Sequence, residues 1–208
     1  MEGTFPPPLR SHAHRLSKMP IMQITLVRHG KPDHDYDTWC TPRDMKGYVE
    51  QYNRADVLPC EAGKQLADAS QNAKVIITSS LSRCIQSAEC LPGTEACGSD
   101  EVFAEAHLPY TDWGWPKMPP KVWRILFRAA WFLGFSANTE SISTSNARAK
   151  EAARKLIALA ETHETVLLMG HGIMNILIAW HLRKHGWRGP QMLILRDYWH
   201  ASIYSKAH

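Results

Sequence analysis

Residues 24–32 read ITLVRHGKP. Ile24 to Val27 are apolar and largely β-branched, and Gly30 and Pro32 turn the chain, so the stretch predicts a buried strand that opens into a loop. Arg28 and His29 then stand at the carboxyl end of that strand. In open parallel sheets this is the edge where ligands bind. An isolated Arg-His-Gly is equally compatible with a strand end that is merely polar, so the rest of the chain has to decide.

Working outward, the chain repeats one grammar. EAGKQLADAS at 61–70 has helical character, KVIITSS at 74–80 is a second apolar strand ending in two serines, and LSRCIQSAECL at 81–91 is helical up to Pro92-Gly93. In the later half, Asn146 to Thr162 places Ala149, Ala152, Ala153, Leu156, Ile157 and Ala160 at helical spacing. TVLLMGHG at 165–172 is another strand, Ile173 to Leu182 an almost wholly apolar helix, and QMLILRDYWHASIYS at 191–205 predicts two closing strands. Strands alternating with helices predict an α/β fold in three layers, α/β/α, around a mostly parallel sheet. Residues 33–60 are polar and irregular and predict a long loop, a place where function often resides.

The middle breaks the alternation. Residues 110–135 hold four of the eight tryptophans, and Val122 to Phe135 is apolar apart from Arg124 and Arg128. The stretch is too short to span a bilayer. A capping insertion with its aromatic face on the protein is the preferred reading, and membrane contact by residues 122–135 the weaker one.

At 208 residues the chain predicts one domain over 22–208, preceded by a flexible tail over 1–21 with Met22 as an alternative start. The tail has a proline triplet and no apolar run of signal-peptide length, and its His12 and His14 are expected to be solvated rather than metal-binding. A formal net charge of +4 without a block of like charges argues against a nucleic-acid partner. Five cysteines with no C-x-x-C pair suggest neither a disulfide framework nor a zinc site, and fit a reducing cytoplasm. His181 and His185 share i, i+4 spacing, but no further ligands accompany them.

Parallel strands deliver their ends to one edge, so Arg28-His29-Gly30, Ser79 to Arg83 and Gly170-His171-Gly172 should meet there. Cations gathered without carboxylate partners are unfavourable unless an anion joins them. A phosphoryl group suits them, because arginine offers its oxygens a planar fork and helices beginning near Ser82 and Ile173 would aim their amino ends at it.

Arg28-His29-Gly30 after a strand, the segment SSLSRCIQSAECL, FAEA around Glu105 and LLMGHGIM, in that order, resemble the histidine phosphatase superfamily with its phosphoglycerate mutase-like fold. The resemblance implies that His29 is a nucleophile that transiently carries the phosphoryl group, that Arg28, Arg83 and His171 hold phosphate oxygens, and that Glu105 protonates the leaving oxygen. Gly30, Lys31 and Gly172 join the expected phosphate-binding set. The chemistry asks for the same cast: an imidazole nucleophile must be neutral, and the loop at Gly30 can supply the carbonyl that fixes its tautomer. Asp100, Glu101, Asp112 and Asp35 compete with Glu105 for the role of acid.

The departure from the family pattern is at Lys31-Pro32-Asp33-His34-Asp35, where many members carry Glu or Gln with Thr or Ser and then a Trp-Asn pair. That makes phosphoglycerate mutase-type transfer a weaker alternative than hydrolysis. A non-catalytic phosphate-binding module is weaker still, since the nucleophile and acid candidates are both present. No H-C-x5-R, P-loop or G-x-S-x-G motif offers another chemistry. The expected activity is that of an acid phosphatase without metal or other cofactor, acting on a small-molecule phosphomonoester or a phosphoprotein.

Overall fold

The computed structural model describes residues 21–35, 37–59, 62–93 and 95–207. The expectations for the tail, His12 and His14 therefore lie almost entirely outside the described residues. In chain order the elements are β1 (Ile21–Arg28), α1 (Met45–Arg54), α2 (Lys64–Asn72), β2 (Val75–Ser79), α3 (Ser82–Glu89), β3 (Ala96–Asp100), α4 (Pro120–Phe132), α5 (Ile142–His163), β4 (Thr165–Gly170), α6 (Gly172–Lys184) and β5 (Ala201–Ala207). A short 3-10 turn follows β3 at Glu101–Phe103.

The five strands lie in the order β3-β2-β4-β1-β5, parallel throughout except for β5, which runs antiparallel to β1 at one edge. Alternation of side chains along the strands divides the core in two. Ile24, Leu26, Val75, Ile77, Val166 and Leu168 face α5 and α6. Val27, Ile76, Leu167 and Met169 face the other way, against Leu66 of α2 and Cys84 and Ala88 of α3. Strands buried on both faces explain why these segments read as unbroken apolar runs.

The structure corrects three expectations. The loop at 33–60 contains α1, whose Gly47, Tyr48, Val49, Tyr52 and Asn53 are weak helix formers and whose buried anchor is Met45 alone. Sequence periodicity also missed β3, because ACGSD is an exposed edge strand built from poor strand formers. Of the two closing strands only β5 exists. The place beside β1 is already filled by Ala201–Ala207, so residues 191–199 run as irregular backbone beside the sheet edge.

The aromatic insert forms α4, which turns Trp123, Phe127 and Trp131 into the protein. Trp123 and Phe127 stack on one another and pack with Cys40 and Met45, whereas Trp131 packs with Ala106 and Ile173. Ile125, Leu126, Phe132 and Leu133 remain exposed. Among the described residues no helix is long and apolar enough to cross a membrane.

Helix α5 approaches the sheet through a stripe of small residues, Ala149, Ala152, Ala153 and Ala160, all fully buried. Close packing leaves no room there for extra methylenes. Ala153→Leu should destabilise the fold by about 1–3 kcal/mol, read as a lowered urea midpoint; an unchanged midpoint would show that α5 can move outward without loss.

Candidate active site

Strand register creates the site. β1 and β4 are neighbours with Arg28 opposite Gly170, so the next residue of each chain, His29 and His171, leaves the sheet at the same level. The His29 backbone N–H donates to the Gly170 carbonyl at 3.0 Å, and the two imidazoles lie 5.1 Å apart between centroids. β2 ends one row away at Ser79, and α3 begins three residues later, carrying Arg83 in its first turn.

Arg83 is buried, and each of its nitrogens has a neutral partner. Nε donates to His29 Nε2 at 3.1 Å, Nη1 to Asn53 Oδ1 at 2.8 Å, and Nη2 faces His171 Nδ1 at 3.2 Å. A guanidinium only donates, so both contacted imidazole nitrogens must be acceptors. This assigns the tautomers. His29 carries its proton on Nδ1, which donates to the Gly30 carbonyl at 2.7 Å. His171 carries its proton on Nε2, 2.8 Å from Ser79 Oγ. Cys84 stands behind His171, and burial pushes its thiol up to about 12, so it remains neutral.

The loop after His29 is held as tightly. The Gly30 N–H donates to Ser87 Oγ at 2.8 Å, while that hydroxyl donates to the Arg83 carbonyl at 2.6 Å. A Cβ on Gly30 would collide with Trp199 and Val57, which accounts for glycine there. Arg28 donates through Nη1 to the Arg196 carbonyl and lies 4.0 Å over the Tyr198 ring, and its buried Nε has no partner among the described residues.

Glu105 reaches the site from the segment after the 3-10 turn. Oε1 accepts the N–H groups of Ala106 and Met174, each at 3.0 Å, and Oε2 accepts that of Ile173 at 3.3 Å. The expectation that the amino end of α6 faces phosphate is thereby corrected, because a carboxylate beside a helix amino terminus is favourable and Glu105 already takes the Ile173 and Met174 amides.

These groups open onto a cavity of about 1180 Å³, lined at one end by Arg28, His29, Tyr52, Arg83, Glu105 and Arg124. Arg128 also lines it, with Nη2 on the Ala106 carbonyl and a buried Nη1 without a partner among the described residues. No carboxylate lies within ion-pair distance of Arg28, Arg83, Arg124 or Arg128 among the described residues.

The structure therefore brings His29, Arg28, Arg83 and Glu105 together around one space. His171 is fully buried behind Arg83 and does not line that space, and neither do Gly30 and Gly172. Lys31 is exposed and does not line the cavity. Of the competing carboxylates, Asp35 accepts from the Asp37 and Thr38 backbone N–H groups and the Thr38 hydroxyl, Asp100 caps the 3-10 turn and pairs with Lys155, and neither these two nor Glu101 and Asp112 line the cavity. His181 binds Asn146 Oδ1 at 3.0 Å and His185 is exposed. Among the described residues no group of three or more His, Cys, Asp or Glu is placed to hold a metal ion.

Sequence reasoning brought Ser79 to this edge without a role and missed Asn53, Tyr52, Ser87 and Tyr198. Only Ser79 and Ser87, flanking Arg83 on a strand end and on its helix, left a signal. The others come from segments distant in sequence.

A family model described as histidine phosphatase superfamily (branch 1) matches residues 24–204. No curated protein matches the chain significantly. Several solved structures share the fold. A mycobacterial glucosyl-3-phosphoglycerate phosphatase complexed with VO3 superposes with a TM-score of 0.56 at 20% identity, over 88% of this chain and 92% of the other. Bacillus stearothermophilus YhfR gives 0.54 at 20% identity over 87% and 89%. A protein titled mycobacterial hydrolase 1 gives 0.53 at 16% identity over 88% of each.

Burial, reinforced by the Arg83, Arg28 and Arg124 charges, holds His29 well below the ordinary histidine value of 6.5 against the opposing pull of the Gly30 carbonyl. His171 is likewise held well below 6.5, by burial first and by Arg83 next. Below pH 6.5 the unfolded chain takes up protons that the folded chain refuses, so folded stability declines with falling pH and levels off only beneath the folded values. Carboxylates with lowered values, such as Asp44 and Asp100, act in a separate window below about pH 4. The melting temperature should therefore fall between about pH 7 and pH 5, and less steeply in His171→Asn, where His29, His34, His181 and His200 still contribute. A flat wild-type profile across this range would contradict the buried, neutral state of the pair.

Proposed function

The chain belongs to the histidine phosphatase superfamily, and from that premise we propose that it is a phosphomonoester hydrolase working through a phosphohistidine on His29. The observation that carries this reading is the state of His29: Nδ1 tied to the Gly30 carbonyl, Nε2 an acceptor at the mouth of an arginine-lined cavity.

The incoming phosphate takes over the Arg83 and Arg28 donors, which releases the Nε2 lone pair. Nε2 attacks phosphorus, the bond to the ester oxygen breaks, and the electron pair leaves with that oxygen. Glu105 supplies its proton. Oε2, with a single 3.3 Å contact, is the oxygen free to carry that proton, since Oε1 is held by two amides. Water then attacks the phosphohistidine, Glu105 takes a proton from it, and phosphate and neutral His29 are restored. Arginines neutralise the charge that metals neutralise elsewhere. His171 acts as a positioning residue, fixing Arg83 from behind. The neutral pair supports an acid phosphatase, because the nucleophile stays unprotonated below pH 6.5. Residues 22–208 form the proposed catalytic domain, and Cys40, Cys84 and Cys97, which are in no disulfide, support a cytoplasmic setting.

Rapid quenching of the wild type with a labelled phosphomonoester in excess EDTA should trap an acid-labile, base-stable phosphoprotein. His29→Ala should lose both label and turnover while keeping its fold. Label on serine, cysteine or aspartate, or activity that EDTA abolishes and zinc or magnesium restores, would overturn the mechanism.

Glu105→Gln separates acid catalysis from the helix-capping role that its amide contacts reveal. An alkoxide needs a proton far more than a nitrophenolate does. The variant should lose roughly hundredfold or more on alkyl phosphates and much less on p-nitrophenyl phosphate. Equal losses on both would make Glu105 a structural carboxylate only.

A further inference from the structure

The cavity is much larger than a phosphate needs, and its chemistry changes along its length. At the far end its wall comes from three elements: Ile125 and Phe132 of α4, Leu177 and Trp180 of α6, and Leu193 and Ile194 of the irregular segment before β5. Four of these side chains are unusually open for their kind, Ile125 at 69%, Leu193 at 75%, Ile194 at 65% and Trp180 at 48%.

This apolar wall is continuous with the phosphate end. Leu195 packs so closely on Gly172, at the start of α6, that a Cβ there would collide with it. The next residue, Arg196, gives its carbonyl to Arg28. Of the polar lining groups, Asn53 Oδ1 binds Arg83, Asn146 Oδ1 binds His181 and Glu105 binds three amides, while the buried Tyr48 hydroxyl and Arg128 Nη1, without partners among the described residues, stand with Arg124 toward the charged end and not in the apolar arm. His107, Lys121 and Ser143 line the cavity only at its exposed rim. A polyhydroxylated leaving group would lose water in this arm without regaining hydrogen bonds, whereas a hydrocarbon would cover the exposed wall.

We propose that the apolar arm receives the leaving group, so that the substrate class is the phosphate monoester of a long apolar alcohol. This deepens the phosphatase reading and rests on it. The cationic end fixes the phosphoryl group over His29, and the chain of the alcohol runs between α4, α6 and residues 192–195.

The test is kcat/KM for ethyl, butyl, hexyl, octyl and decyl phosphate, each below its micelle concentration, read as released phosphate. In the wild type the value should climb with chain length by up to about fourfold per methylene, the factor corresponding to full burial of a CH2 group. In Ile125→Ser/Leu193→Ser, whose parent side chains are exposed and whose fold is therefore not at risk, the slope should flatten. A flat wild-type series, with short esters still hydrolysed, would overturn the inference and leave the phosphatase reading intact. So would a slope that the double variant does not change, or binding to phospholipid vesicles without any chain-length dependence, which would make the patch a membrane-facing surface. No phosphate released from any ester, p-nitrophenyl phosphate included, would overturn the phosphatase reading and this inference with it.

Discussion

The Arg83 guanidinium is buried without a carboxylate, and the architecture of the site follows from that constraint. A charge removed from water needs partners for its donors. Here they are His29, Asn53 and His171, all neutral. A carboxylate in their place would satisfy the charge and leave nothing for an anion. Neutral acceptors satisfy the hydrogen bonds while leaving the positive potential uncancelled, so the site is assembled and still electrostatically open. The same arrangement keeps the two imidazoles from protonating, because a proton on either would put a second cation beside the first and remove an acceptor.

The fold makes this possible through register rather than through local preference. Parallel pairing sets Arg28 level with Gly170 and Thr78 level with Met169, so three strand ends stop within one row of each other. Helix α3 then starts close enough behind β2 for Arg83 to reach both histidines, and Ser87 one turn later ties the helix to the Gly30 amide. The other face contributes Glu105 on the amino end of α6, so the carboxylate candidate for proton transfer is oriented by the helix whose cap is His171. Nucleophile, cation and acid are each fixed by a different element, and only the packing of those elements brings them together.

The aromatic insert belongs to the same unit. Its buried stripe of Trp123, Phe127 and Trp131 anchors α4 over Met45 of α1 and Ile173 of α6, the two helices that carry Asn53 and Glu105's amide partners. Its opposite side presents Arg124 and Arg128 to the charged end of the cavity and Ile125 and Phe132 to the apolar end. One amphipathic helix thus closes the space over the phosphate end and also shapes what lies beyond it.

Much of this was legible in the sequence, and the limits are physical. Core strands β1, β2 and β4 and the helices that cover them announce themselves, because burial on one or both faces forces a local apolar pattern. The motifs carrying His29, Arg83 and His171 were readable for a related reason, since each sits where such a strand ends and its pattern breaks; Glu105 follows the exposed β3 and a 3-10 turn and was legible only through the FAEA resemblance. Helix α1 and edge strand β3 were misread because exposed or weakly anchored backbone leaves no such pattern, and the segment 191–199 because its apolar run at 192–195 lines the cavity and not a sheet. No local rule could place Asn53 against Arg83, hide His171 behind it or set Glu105 on the α6 amides. Those contacts join residues 30 to 88 positions apart. The sequence by itself determined which chemical groups are present and which elements carry them; tertiary structure decided which groups face one another and which are kept from charging, because long-range distance and burial are properties of the packed chain and of no segment within it.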